Sequence, residues 1–327
     1  MRIAITGSIA TDHLTTFPGR FADHLVGGQL DNISLSFLVD DLEVRRGGVA
    51  ANISFGLARL GLRPVLVGAA GPDFAEYRLW LEKHGVDTDS VLISATRQSA
   101  RFMCVTDRDL NQIASFYSGA MAEAKEIDLH PILNRLGKLD LVLVAANDPA
   151  AMVRHTEQCR ELGLPFAADP SQQLARLEPD EVRTLVTGAQ WLFCNDYESA
   201  LLLERTGWTQ EQVLEQVGSW VTTKGADGVV IEQAGQDPVT VAAVPAGQTP
   251  DPTGIGDAFR SGFLAGIAWG WPVERSAQLG CALATVVLES VGTQEYTLSA
   301  ADLTARVKEA YGAEVAAQIE PALADVV

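Results

Sequence analysis

Residues 251–263 read Asp-Pro-Thr-Gly-Ile-Gly-Asp-Ala-Phe-Arg-Ser-Gly-Phe, with two glycines around one residue and an acid directly after them. An apolar, small-residue pattern at helical spacing continues toward Trp269 and places Asp257 in the first turn of a predicted helix. That turn carries N–H groups without intrahelical acceptors and the positive end of the macrodipole. A transferring phosphoryl group can be held there, because glycines let the backbone come close to its oxygens. Asp257 is then the candidate base that takes the proton of an attacking hydroxyl, with the amides of Gly254, Ile255 and Gly256 as an anion hole. The chemistry is phosphoryl transfer to an alcohol. A carboxylate at a helix N-terminus is stabilised in its charged form and so weakened as a base, which puts more weight on positioning than on basicity.

Other polar residues suit the same chemistry. Vicinal hydroxyls are gripped best by a carboxylate that accepts from two donors, and Asp12 can supply one from the exit loop of the first predicted strand. Asn52, opening the helix after Gly47-Gly48, adds a donor and an acceptor. Taken alone, Asp12 also reads as a loop acid and Asn52 as a helix-start residue. Asn195 and Glu198, three apart after an apolar run, have the spacing of a helix cap. Thr223-Lys224-Gly225-Ala226-Asp227-Gly228 forms a glycine turn at a strand end. The P-loop signature and the protein-kinase signatures are absent from the chain, which disfavours both classes.

The elements that position these residues alternate. Short β-rich runs at residues 3–6, 65–68, 141–146, 166–168, 191–194, 221–223 and 229–232 are predicted strands, and residues 74–84 and 150–162 are amphipathic crossover helices. This succession predicts an α/β fold with a largely parallel sheet covered on both faces and ligands at the carboxyl ends of its strands. Ser8, Asn147, Asn195 and residues 169–173 fall on that rim. Residues 34–39, 99–105 and 113–117 have strand character without crossover helices and predict a small separate β sheet.

Composition narrows the partners. The 327 residues carry a formal net charge of −18, a surface that repels nucleic acid and anionic lipid, so any nucleotide site must be built locally. Cys104, Cys159, Cys194 and Cys281 are scattered, as expected of core thiols in a reducing compartment. No apolar run reaches membrane length, and the expected location is cytoplasmic.

Four stretches, Gly47-Gly48-Val49-Ala50-Ala51-Asn52-Ile53-Ser54 with Gly61 and Gly71, Gly85-Val86-Asp87-Thr88, Asn195-Asp196-Tyr197-Glu198 and residues 251–263, occur in this order. Together they resemble the ribokinase-like (PfkB) carbohydrate and nucleoside kinases over nearly the whole chain. The resemblance implies one ribokinase-like domain over residues 1–327, with a β lid inserted at about 13–46 and 97–119. It implies ATP as phosphoryl donor, held by Asn195, Thr223, Lys224, Gly225 and Gly228, and Mg2+ ordered by Glu198 through water. It also implies that Asp12 and Asn52 grip the sugar and that a homodimer forms through the lid. Pro252 and Ile255 depart from the commoner threonine and alanine of the family, which leaves its monovalent-cation (K+) dependence open here.

Residues 6–14, 34–41, 168–177 and 292–295 are similar to the mycobacterial-type adenosine kinases within that family. This closer likeness implies adenosine as acceptor and a role in purine salvage. Gln172 and Gln173 would read the adenine or ribose, Phe102 and Phe116 would sandwich the base, and Ser8 and Gly48 would add polar contacts. Ser36 or Phe37 would reach a partner subunit's site. A ribokinase- or fructokinase-like sugar kinase and a noncatalytic nucleoside-binding regulator stay open as alternatives.

Overall fold

The computed structural model describes residues 1–24, 36–249 and 251–326. Its strands are β1 (Ile3–Thr6), β2 (Ala10–Thr16), β3 (Asp41–Gly47), β4 (Val65–Ala70), β5 (Val91–Ile93), β6 (Ala100–Thr106), β7 (Gln112–Tyr117), β8 (Leu141–Val144), β9 (Phe166–Ala168), β10 (Trp191–Asn195), β11 (Ser219–Thr223), β12 (Val229–Glu232) and β13 (Val239–Val241). Nine of them form one sheet in the order β13-β12-β11-β10-β9-β8-β1-β4-β5, parallel except for β12 and β13. Central strands such as Leu-Val-Leu-Val in β8 are buried along their whole length, as a sheet covered on both faces requires. The period of two divides them between two cores. Ile3, Ile5, Leu141 and Leu143 pack on one side with helices Val49–Arg59, Ile255–Ala268 and Val273–Leu288, whereas Ala4, Val142 and Val144 pack on the other with Pro149–Glu161 and Pro179–Val186.

The second sheet is the lid, in the order β3-β2-β6-β7. Two expectations are corrected here. Residues 36–39 carry no strand, while Ser34 and Leu35 lie outside the described residues; the pairing is made instead by β2 and β3 on either side of that segment. Asp12 therefore sits within strand β2, opposite Arg45 and Phe102, and not in a loop. The reason is compositional. Ala-Thr-Asp-His-Leu-Thr-Thr and Asp-Leu-Glu-Val-Arg-Arg-Gly contain too few apolar residues to read as strands, because a lid has little core to bury.

Between β1 and β2 lie only Gly7, Ser8 and Ile9, so the chain passes directly from the sheet rim into the lid. That rim is the carboxyl end of β1, β8, β9 and β10, from which Ser8, Asn147, Asp169 and Asn195 follow. No helix among the described residues is long and apolar enough to cross a membrane.

Candidate active site

The helix Ile255–Ala268 begins at Gly254, whose φ of 80° is left-handed, and no side chain caps it. A Cβ on Gly254 would stand 2.8 Å from Thr293 Cγ2, so both backbone conformation and space require glycine. The first intrahelical bond runs from Ala258 N–H to the Gly254 carbonyl at 2.9 Å, which leaves the N–H groups before it without helical acceptors. Asp251 shapes the approach to this turn: Oδ1 accepts from Thr253 N–H at 2.9 Å, and Oδ2 meets the lid's Arg45 Nη1 at 3.0 Å. The loop before the helix is thus tied to the lid.

Asp257 lies in the first turn of this helix, and Asn52 Nδ2 donates to its Oδ2 at 2.8 Å. Asn52 Oδ1 accepts from Gln294 Nε2 at 2.9 Å, and Trp80 Nε1 donates to Gln294 Oε1 at 3.2 Å. This chain of bonds fixes which end of the Asn52 amide faces the carboxylate. Burial pushes the Asp257 carboxyl up to about 7, against the lowering pull of Asn52 and Arg260. The dipole alone would make it a weak base, whereas burial moves this carboxyl in the opposite direction.

Two cavities meet at this helix start. The first, about 460 Å³, lies under the lid and is lined by Ser8, Asp12, Gly48, Asn52, Phe102, Phe116, Gln172, Gln173, Gly254 and Asp257. Ten sequence-predicted residues therefore gather in one place, though they come from segments up to 249 positions apart. Burial raises the Asp12 carboxyl to about 6, with Arg45 opposing. Gln173 is 6% exposed, and its Oε1 has no hydrogen-bond partner among the described residues. Ser8 Oγ accepts from Val49 N–H at 3.0 Å at the start of the Asn52 helix. Phe102 and Phe116 are direct cross-strand neighbours on β6 and β7. They stand side by side on one face of the lid, so the expected sandwich is replaced by an aromatic wall. Ser36 is exposed and does not line the cavity, and Phe37 packs on Phe17 and Phe21 of its own chain with ring centroids 4.7 and 5.0 Å away.

The second cavity, about 570 Å³, lies beyond the helix start and is lined by Thr223, Gly225, Gly228, Val244, Pro245, Ile255, Gly256, Phe259, Ala284 and Leu288. Ile255, the departure from the commoner alanine, forms part of its wall. Lys224 Nζ bonds Asp196 Oδ1 at 3.0 Å beside it. Asn195 and Glu198 form a reciprocal capping box: Asn195 Oδ1 accepts from Glu198 N–H, and Glu198 Oε2 accepts from Asn195 N–H, each at 2.8 Å. Glu198 Oε1 stays free of the cap, and burial raises this carboxyl above the usual range. Among the described residues no group of three or more His, Cys, Asp or Glu gathers to cage a metal directly. Asn195 and Glu198 line neither cavity, and one free carboxylate oxygen is a donor suited only to a magnesium ion that keeps most of its waters.

Residues 25–300 match the family model described as pfkB family carbohydrate kinase. The chain belongs to that family. Within it, this kinase is 32% identical to the nucleoside kinase of Methanothermobacter thermautotrophicus, over 76% of this chain and 80% of the relative. It superposes on Burkholderia thailandensis nucleoside kinase in complex with inosine with a TM-score of 0.82 at 32% identity, covering 95% of this chain and 98% of that one. The same Burkholderia enzyme in its ADP-inosine complex gives a TM-score of 0.80, covering 95% and 96%. The ribokinase of Cryptococcus neoformans shares the fold at a TM-score of 0.74 and 21% identity, over 94% of this chain and 99% of that one. The fold is therefore ribokinase-like, with a small separate sheet as lid.

Several residues at the kinase's site escaped sequence reasoning. Gln294 and Trp80 orient Asn52 from 242 and 28 positions away, and no local pattern marks such a partnership. Arg176 and Thr293 lie in stretches 168–177 and 292–295, which carry the closer likeness without assigning them a role, and both line the first cavity.

Proposed function

We propose that this kinase transfers the γ-phosphoryl of ATP to the 5′-hydroxyl of a purine nucleoside, with adenosine as the foremost acceptor, giving AMP and ADP. The observation that carries the reading is the uncapped helix start between two cavities, with Asp257 facing the one walled by Phe102 and Phe116. A purine needs a flat apolar wall and amide groups for its edge, whereas a free sugar needs neither. The cavity volume of about 460 Å³ falls within the usual range for a small-molecule site. The inosine and ADP-inosine complexes of the Burkholderia neighbour support the same pairing of ligands.

In this reading Asp12 and Asn52 hold the ribose, and Gln172 and Gln173 read the base or ribose edge. Ser8 and Gly48 supply further polar contacts, and Ser36 serves a partner's site. The 5′-oxygen attacks the γ-phosphorus in line as the bond to the β-phosphate oxygen breaks, and its proton passes to Asp257. The amides of Gly254, Ile255 and Gly256 take up the charge on the transferring group. Asn195, Thr223, Lys224, Gly225 and Gly228 hold ATP, and Glu198 holds magnesium through water. When bound, that ion neutralises phosphate charge. Exposed Leu42 and Val44 on edge strand β3 suit pairing of two copies through the lid.

The test is ADP formation with Mg2+ and ATP on adenosine, inosine, guanosine, ribose and fructose in parallel, with Asp257→Asn protein as blank. Turnover on adenosine above the rest supports the full reading. Turnover on another nucleoside keeps the class and overturns adenosine. Activity on ribose or fructose alone overturns the nucleoside assignment and returns both phenylalanines to lid packing.

A further inference from the structure

Arg260 stands one turn into the anion-hole helix, and its charge has no part in the mechanism above. Side chains on a helix lean toward its N-terminus, so a long residue at this position folds back over the first turn. Its guanidinium does so: Nη1 lies 2.8 Å from where a Cβ on Gly256 would be. The rest of the fork is held by Asp169, which follows β9 on the rim. Nη2 donates to Asp169 Oδ1 at 2.7 Å, and Nε stands 2.5 Å from Oδ2. Asp169 in turn accepts from Ser171 Oγ at 2.8 Å, and the Phe193 ring lies 5.6 Å from the guanidinium carbon. Asp169 is 0% exposed and Arg260 5% exposed.

Burying two charges this deeply is expensive, and an apolar pair of similar volume would hold the helix to the sheet equally well. The arrangement therefore asks for another purpose. Both carboxylate oxygens of Asp169 face Nε and Nη2, which leaves Nη1 as the end without a carboxylate, directed at Gly256. Gly256 also lines the second cavity, where that cavity meets the helix start. A guanidinium is charged at every working pH, and when clamped it cannot swing onto Asp257 and quench the base.

We propose that Arg260 is a positioning residue for phosphoryl transfer. Asp169 clamps it so that a fixed positive charge backs the Gly256 amide where the transferring group gains negative charge. The inference rests on the reading of Asp257 and the helix start as the phosphoryl-transfer site, and it adds a role for a buried ion pair behind them. A charge preorganised in a water-poor site acts without reorganisation during the reaction, which is where electrostatic catalysis is largest.

The experiment compares wild type, Arg260→Lys and the paired apolar variant Arg260→Met with Asp169→Leu. The paired variant removes the ion pair as a unit and leaves neither partner charge stranded, while Asp257 and Glu198 lose the guanidinium that faces them; its fold is checked by circular dichroism and by nucleoside binding. Two quantities are read: kcat against pH on the best nucleoside, and the affinity gain when aluminium fluoride is added to ADP, Mg2+ and nucleoside. The gain reports complementarity to the transition state and needs no turnover.

Expected is a kcat about a hundredfold lower in the paired variant, loss of most of the fluoride gain, and nucleoside binding within about threefold of wild type. The groups facing Asp257 are Asn52, Asp12, Asp169 and Arg260. Removing Arg260 and Asp169 together leaves their opposed effects on Asp257 to cancel in part, whereas Arg260→Lys keeps the charge and loses the fork. The acidic limb of the profile therefore moves less in the paired variant than in an Asn52→Ala control. Near-normal kcat together with an undiminished fluoride gain in the paired variant overturns the proposal. Wild type that shows the gain but phosphorylates no nucleoside overturns the acceptor assignment alone, and the variant's gain then decides the role of Arg260.

Discussion

The two cavities that meet at Gly254 are built from different materials. The lid-side cavity is lined by side chains with donors, acceptors and charge, namely Asp12, Asn52, Gln172, Gln173, Arg176 and Asp257, drawn from the lid sheet, two α-helices and the segment after β9. The far cavity is lined mainly by small and apolar residues, among them Ala243, Val244, Pro245, Ala246 and Ala284. Its Thr285 hydroxyl is already engaged, 3.1 Å from the carbonyls of Val244 and Cys281. A site that must choose among alcohols invests in directional polar groups; a site that holds one common donor can rely on shape and backbone. The difference predicts that substitutions on the lid side alter which acceptor reacts and how fast, whereas those on the far side away from the Ile255–Gly256 turn alter only the hold on ATP.

The largest effect expected is at the boundary itself. Asp257→Asn should lower kcat about 10³-fold while nucleoside affinity, measured by calorimetry, stays within a few-fold. Retained turnover would break the assignment of both cavities at once. Next is Asn52→Ala, for which kcat/KM falls about 10²-fold. A hydrogen bond to the charged carboxylate is lost, so the Asp257 carboxyl rises further and the acidic limb of the pH profile moves to higher pH. An unmoved limb would show that Asn52 acts on the sugar alone.

Smaller effects separate the walls. Phe102→Ala or Phe116→Ala each removes part of one stacking surface, worth about 1–3 kcal/mol per base, and should raise the nucleoside KM about tenfold with the ATP KM unchanged. Because the two rings are neighbours on one face, the double variant should lose less than the sum of the singles. Ala284→Leu fills part of the far cavity and should raise the ATP KM several-fold, leaving nucleoside affinity as it was. A change in acceptor preference from Ala284→Leu would contradict the division of labour.

What was legible in the chain follows the same division. The central strands could be read because each is a continuous apolar run, and residues 251–263 because the glycine turn and its acid, common at helix starts when alone, occur here in order with three further stretches that resemble the same family. The lid strands β2 and β3 could not, because half-exposed strands such as Asp-Leu-Glu-Val-Arg-Arg-Gly lack an apolar run. Gln294 and Arg260 lie in stretches that carry the resemblance, but their roles were illegible because their partners Asn52 and Asp169 are far away in sequence, and only the fold brings them together. The Phe102 and Phe116 geometry needed the β6–β7 register, which depends on where the hairpin turns.

The smallest expected effect concerns stability, and it sharpens the comparison by separating the cost of the base from its use. Asp257 has a folded-state value raised to about 7 from an ordinary 3.8, with burial as the main cause. The folded chain therefore binds more protons than the unfolded chain between those values, and this group's contribution is fully present below about pH 4 and lost as pH rises through 7. Asp12, raised to about 6, acts in the same direction over a narrower window. Carboxyls held low, such as Asp73 and Asp251, lose their contributions only at lower pH and are common to wild type and variant. Asp257→Asn removes the burden of a charge facing a desolvated pocket, so its Tm should exceed that of wild type at pH 8 by about 2 °C, with the difference shrinking as pH falls and vanishing below about pH 4. Equal Tm values across that range would mean that water entering the lid-side cavity hydrates the carboxylate. The base would then owe its rate to position and not to a raised basicity.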